Sequence, residues 1–224
     1  MTPDTTQRPL RADAERNRRL IMETAERMFA ERGAVATLNE IAHEAGVGVG
    51  TVYRRFPDLQ TLVDALFTER FTVFLEVAAA AAEQPDPGRA LRHYLLEAAR
   101  RRAQDRALEV ILAHADVAAE PIARMRDDLG RHVDGLAERA VAAGAVRADF
   151  ASADVYAFLL MIGTVADRTE DAAPGAWRRY AELLLAGFGL AQDPADPKDP
   201  APRPPVMTDA QALQIWPKRT GFEA

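Results

Sequence analysis

Apolar residues recur at helical spacing along almost the whole chain. Ile21, Ala25, Met28 and Phe29 lie three and four residues apart, which predicts a first helix from about Asp13 to Arg32. Gly33 follows where a helix C-terminus favours glycine. Thr37-Leu38-Asn39-Glu40 has the capping-box pattern, in which a hydroxyl and a carboxylate satisfy backbone donors at a helix start, so a second short helix runs to about Ala45. Gly46-Val47 turns the chain. Gly48 to Phe56 is a third helical segment, stopped by Pro57 because proline lacks the amide donor. From Asp58, a candidate N-cap, the residues Leu62, Val63, Leu66, Phe67, Phe71, Phe74 and Ala78 form a long helix whose apolar surface is too wide to be covered from one side. Gln84-Pro85-Asp86-Pro87-Gly88 interrupts it, and Asp105, Pro121, Gly144, Ser152 and Pro174 mark further ends, between which five more helices fit. No segment alternates with period two and β-branched enrichment. The expectation is an all-α fold of about nine helices: a three-helix domain in residues 1–57, a larger helical domain in 58–191, and a tail in 192–224. Six of the fourteen residues from Asp193 to Val206 are proline, an extended linker. Beyond it, Thr208-Asp209-Ala210-Gln211 repeats the capping box, and Leu213 with Trp216 outlines a short amphipathic helix ended by Pro217. A helix this short is marginal alone, so a disordered tail is the competing reading.

Composition narrows the class. With 224 residues, 48% hydrophobic and 28% charged, the chain is long enough for a sizeable core and is neither disordered nor membrane-like overall. Its longest near-apolar run, Ala157 to Ala166, is half what a membrane helix needs, about 20 residues. The first twenty residues are polar and carry Arg8, Arg11, Arg16, Arg18 and Arg19, unlike a signal peptide. Zero cysteines exclude a disulfide scaffold, thiolate zinc sites and cysteine nucleophiles, and fit a reducing compartment; a cytoplasmic location is expected.

A net charge of −6 argues against a nucleic-acid partner, but its distribution does not. Residues 1–56 hold nine arginines against eight acids, so the acidity resides in the remainder of the chain. Within Arg8 to Arg19 five arginines face only Asp13 and Glu15. Such an arm suits phosphate contacts, and equally a solvated helix end.

Two short helices joined through a glycine turn form a helix-turn-helix candidate. At 100° per residue Val49, Val52 and Phe56 share a stripe expected to be buried, Gly50, Thr51 and Arg54 point away, and Tyr53 and Arg55 lie on the flanks. Arginine bridges guanine or phosphate, Thr51 meets a thymine methyl and the Tyr53 hydroxyl binds phosphate, which is the chemistry a major groove requires. Taken alone, the same helix also reads as an ordinary exposed polar helix.

Residues Asn17 to Leu66 resemble the DNA-binding domain of the TetR/AcrR family of transcriptional regulators. The resemblance covers Ala25-Glu26-Arg27-Met28-Phe29, Gly33, the Thr37 cap, Ile41-Ala42, Ala45-Gly46-Val47, Thr51-Val52-Tyr53, Phe56 and Leu62. It implies a homodimer whose recognition helices read successive major grooves of a palindromic operator. By position, the implied DNA contacts are Thr37 and Asn39, then Val49, Gly50 and Thr51, then Tyr53, Arg54 and Arg55. The chain departs from the family at Val49 and Leu59, where members often carry lysine; Lys198 and Lys218 are its only lysines.

The resemblance further implies that the long helix connects the DNA reader to a cavity for a small effector, and that the last two large helices build the dimer. Phe67, Phe71, Phe74, Tyr94, His114, Met125 and Met161 are the candidate cavity residues, and each also reads as core. Few charges accompany them, which favours an apolar effector. Val155, Phe158, Leu159, Ile162 and Val165 form one face of the helix from Ser152 to Arg168, while Leu160, Met161 and Thr164 face elsewhere, so two sides need burial. Val155, Phe158, Leu159 and Ile162, extended by Trp177, Tyr180, Leu184 and Phe188, are assigned to the dimer, with Gly163 permitting close helix approach. His43, His93, His114 and His132 have no metal-ligand spacing, and no cofactor is expected. Gly46-Val47-Gly48-Val49-Gly50 lacks both the preceding strand and the G-x-G-x-x-G spacing of a nucleotide loop, and no catalytic set stands out, so an enzyme is not expected. The competing function is a helical dimer of the same fold that binds a ligand or partner and has lost operator binding, motivated by Val49 and Leu59.

Overall fold

The structure, a computed structural model, describes residues 7–32, 36–105, 107–116, 119–191 and 207–215. Gly33, the proline-rich stretch and the Trp216-Pro217 end of the predicted tail helix lie outside the described residues. Those described form helices and no strand: α1 (Gln7–Arg32), α2 (Leu38–Glu44), α3 (Val49–Arg55), α4 (Leu59–Ala82), α5 (Pro87–Gln104), α6 (Leu108–His114), α7 (Glu120–Ala142), α8 (Ser152–Thr169), α9 (Trp177–Phe188) and the short α10 (Asp209–Ile215). The all-α expectation holds, with α1 beginning six residues before Asp13.

The chain divides into two units, and the divisions fall inside α4, between α5 and α6, and inside α7. The first comprises residues 1–73 and 106–126. Its core joins Ile21, Met28 and Phe29 of α1 to Leu38 and Ile41 of α2, Val52 of α3, Leu62, Leu66 and Phe67 of α4, and Ile111 of α6, all essentially without exposed surface. The first half of α4 and all of α6 therefore belong to the packing of the helix-turn-helix. Glu26 and Arg70 pair at 2.7 Å and brace α1 against α4. Asp58 caps α4, accepting the Thr61 amide at 2.7 Å, which holds its carboxyl below the usual range. Gln60 donates to the His114 carbonyl at 2.9 Å, and the Asp116 amide donates to Asp64 at 3.1 Å, so the end of α6 is stitched to the first turns of α4.

The second unit holds residues 74–105 and 127–224. Its buried residues include Leu91, Tyr94 and Leu95 of α5, Val133 and Leu136 of α7, Val155, Phe158 and Ile162 of α8, and Trp177 and Leu185 of α9. Two arginines of α5 thread this interior. Arg102 grips Asp167 of α8 at 2.6 Å, with Gly163 as the seat of its guanidinium, and Arg92 forks onto Glu182 of α9 at 3.0 Å while also donating to the Leu190 carbonyl. Arg139 donates to the carbonyls of Ala82 and Gln84 at 2.7 Å, satisfying acceptors that the end of α4 leaves open. At Gly189, φ is +97° and a Cβ would lie 2.9 Å from the Ala145 carbonyl, so the close of α9 requires glycine. The second capping box forms as expected, with Thr208 and Gln211 bonded reciprocally, and Gln211 also donates to the Ala172 carbonyl at 2.9 Å.

Candidate nucleic-acid interface

The site begins at Thr37. Its amide donates to the Glu40 carboxylate at 2.7 Å, and its hydroxyl accepts the Glu40 amide at 3.3 Å, which closes the predicted capping box. The Thr37 amide, and the Thr37 hydroxyl donating to the same carboxylate at 2.7 Å, hold the Glu40 carboxyl below the usual carboxylate range. Asn39 stands exposed one residue into α2. At the far end of α2 the amides of Gly46 and Val47 fold back onto the carbonyls of His43 and Ala42, and φ of +64° at Gly46 lets the chain reverse. Arg27 of α1 fixes this helix by bonding Glu44 at 2.8 Å, and the guanidinium lowers the carboxyl of Glu44.

Helix α3 then starts on Gly48, and two side chains anchor it. Val52 is fully buried and Phe56 nearly so. Val49, expected in the same stripe, is instead 47% exposed. The wheel fails at both ends. Val49 is the first helical residue, following a glycine cap. Phe56 has left the helix, at φ −130° and ψ 94°, so its inward direction comes from the C-cap rather than from helical periodicity. Asn39, Val49, Gly50, Tyr53, Arg54 and Arg55 thus share the exposed surface of α2 and α3 with Thr37, and Thr51 is half-buried. Arg54 donates to the Thr51 hydroxyl at 3.1 Å. Arg55 reaches Glu15 of α1 at 3.4 Å, a contact that sequence reasoning missed because forty residues separate the partners. Leu59, the other aliphatic departure, packs half-buried against the core of the first unit, so its side chain is used for packing.

The predicted cavity residues are distributed between the units. Phe67, Phe71, His114 and Met125 belong to the first, while Phe74, Tyr94 and Met161 belong to the second. Phe67 and Phe71 stack with centroids 4.0 Å apart, so these rings are each other's partners. Burial pushes the Tyr94 hydroxyl well above its ordinary range, whereas Met161 is exposed. His114 is exposed and lines a pocket of about 110 Å³ in the first unit together with Phe29, Leu59, Gln60, Val63 and Val110. Of the predicted set, only His114 lines this pocket.

The dimer assignment needs correction at four positions. Val155, Phe158, Ile162 and Trp177 lie in the chain's own core and have almost no surface to offer a second copy. Leu159, Tyr180, Leu184 and Phe188 are half-buried, Phe188 against the rings of Phe150 and Phe158. Gly163 likewise faces Arg102 of the same chain. The side of α8 that is open carries Tyr156, Leu160 and Met161, and α9 adds Leu183. Periodicity identified two apolar faces but not which one the chain itself covers. Among the described residues no cluster of three or more His, Asp or Glu is placed to hold a metal, and no helix is long and apolar enough to cross a membrane.

Comparison with known proteins places the chain in a family. Residues 21–66 match the family described as bacterial regulatory proteins, tetR family, and residues 86–190 match the C-terminal domain described as transcriptional regulator SbtR-like. The crystal structure of a TetR transcription regulatory protein from Mycobacterium vanbaalenii is similar at 30% identity and a TM-score of 0.54, over 80% of this chain and 99% of that one. A TetR transcriptional regulator from Streptomyces coelicolor follows at 29% identity and a TM-score of 0.53, over 76% and 97%. An HTH-type transcriptional regulator of Staphylococcus aureus is 37% identical over 67 residues, 30% of this chain. That match spans 36% of the curated relative's length. The chain belongs to the TetR family of bacterial regulatory proteins. These relatives are named as transcriptional regulators and not as enzymes.

Proposed function

We propose that the protein is a sequence-specific DNA-binding repressor, working in the cytoplasm as a homodimer on a palindromic operator and released by a small, largely apolar effector. One observation carries the DNA reading: α3 is pinned by Val52 and Phe56 while Val49, Gly50, Tyr53, Arg54 and Arg55 stay exposed over it. A helix fixed from behind presents those groups as a rigid unit to a major groove. The packing of Leu59 removes part of the case for a relative that has lost its operator, since that side chain serves the core.

The test is a retardation titration with duplexes selected from a random library. Arg54→Ala is expected to lower affinity by roughly 5–150-fold, corresponding to about 1–3 kcal/mol, if it reads a base, or to reduce the salt slope by about 1 if it holds phosphate. Tyr53→Phe tests the hydroxyl contact in the same assay. Unchanged affinity and salt dependence in both variants, with helicity intact, defeats the assignment.

The dimer reading rests on the open face of α8 and α9, where Tyr156, Leu160, Met161 and Leu183 are exposed with Leu159, Tyr180 and Leu184 half-buried beside them. Large apolar side chains gathered on one face suit a self-complementary interface around a two-fold axis.

For the effector, α4 is the proposed lever. It runs unbroken from Leu59 to Ala82, and three residues, Phe56 to Asp58, separate it from α3. An effector shifts operator affinity only by its differential affinity for the two states, and a coupling of about 1–3 kcal/mol gives a change of roughly 5–150-fold. A hydrophobic compound that raises the melting temperature is therefore expected to weaken operator binding, and operator to weaken the compound by the same factor. A stabilising compound library none of whose members alters retardation counts against the release mechanism.

A further inference from the structure

Resting on the DNA-binding reading, we infer that the N-terminal end of α3 recognises the 5-methyl group of a thymine, with Val49 as the reading side chain. Val49 is the first residue of α3, and 47% of its surface is open. Its neighbours contribute no shielding: Gly48 and Gly50 have no side chains, and a Cβ built on Gly50 meets nothing within 4 Å. One turn further on, Tyr53 is 44% exposed, which extends the apolar surface along the helix. No acidic residue stands in the first turn, and the basic residues of α3, Arg54 and Arg55, are confined to its last turn.

Charge and apolar surface are therefore segregated along one short helix. Five residues at 1.5 Å each put the Arg54 backbone about 7.5 Å further along the axis than that of Val49. The first residues of a recognition helix are those that approach base edges in helix-turn-helix docking. An isopropyl group at that point can neither donate nor accept a hydrogen bond. Against guanine, adenine or cytosine edges it strips water from polar atoms and returns nothing. The thymine C5-methyl is the one apolar feature that the four bases present in the major groove. Of the other two residues with methyls in this helix, Val52 is fully buried, and Thr51 is half-buried with its hydroxyl engaged by Arg54. Val49 is left as the exposed aliphatic contact.

The experiment first selects operator duplexes for the full-length protein from a random library. Each thymine of the enriched half-site is then replaced in turn by deoxyuridine, which removes only the methyl group and keeps every hydrogen-bonding edge. One position is expected to lose roughly fourfold in affinity per half-site, the value of one buried methylene-sized group. Val49→Ala is expected to bind the thymine and deoxyuridine duplexes alike. At that position 5-methylcytosine opposite guanine should bind more tightly than cytosine, which separates methyl reading from reading of the A·T pair. Enrichment of a specific operator in which no deoxyuridine substitution weakens binding overturns this inference and leaves the DNA-binding reading standing. A deoxyuridine penalty that persists in Val49→Ala also overturns it. No enrichment at all defeats both.

Discussion

Leu160→Glu combined with Leu183→Glu is expected to convert the proposed dimer to a 24.5 kDa monomer in light scattering at micromolar concentration. Leu160 is 68% exposed and Leu183 is 56% exposed, so neither side chain contributes appreciably to the core of its own chain. Each leucine buried on association is worth about 1.5–3 kcal/mol, and a two-fold axis counts every contribution twice. Glutamates there would bring like charges together across the same axis. Operator affinity should fall by at least about 100-fold, because a monomer loses the advantage of engaging two half-sites at once. The melting temperature of the monomer at limiting dilution should scarcely change, which distinguishes a lost interface from a damaged fold. A wild-type monomer at the same concentration removes the basis of this prediction.

The second large effect is expected inside the chain, at Gly163. A Cβ at this position would lie 2.5 Å from Nε and 2.7 Å from Cζ of Arg102. An arginine tip normally yields to such a clash, but this one is held by Asp167 through contacts of 2.6 and 3.3 Å and is largely buried. Gly163→Ala must therefore either break the ion pair or separate α5 from α8. Either course should cost roughly 2–3 kcal/mol, the scale for leaving a desolvated charge without its partner when that partner is itself partly hydrated. Asp167→Ala should cost a similar amount. Because both variants release the same guanidinium, the double variant should be clearly less destabilised than the sum of the two. Urea unfolding of the four proteins supplies the cycle, and strict additivity rules out the shared cause.

The sequence made the local features of this architecture legible. The Thr37–Glu40 box, the Gly46 turn and the Pro57 stop are set by backbone chemistry within four residues, and each is found where expected. Helical periodicity likewise located the long apolar surface of α4. It could not decide which apolar face of α8 meets the rest of the chain, because Val155-Phe158-Ile162 and Tyr156-Leu160 are both hydrophobic and only the neighbouring helices break the tie. The same arithmetic misplaced Val49, since a seven-residue helix has little interior over which a wheel applies. Gly163 was legible as a site of close approach, but its occupant, an arginine 61 positions earlier, was not.

The contact between Glu15 and Arg55 changes how DNA association should be regarded. Arg55 does not approach a phosphate as a bare cation with a diffuse cloud of chloride. It comes with a carboxylate of its own chain 3.4 Å away. On the proposed reading, binding is at this point an ion exchange in which phosphate replaces Glu15, and the net gain is the difference between two pairings. With both side chains half in water, the resident pair is worth less than about 1 kcal/mol, so it orients the guanidinium without holding it captive. Less mobile salt is then liberated by this arginine than by one with no internal partner. A displaced Glu15 also remains beside the duplex as a negative charge, so phosphates that fail to meet Arg55 in register encounter repulsion instead.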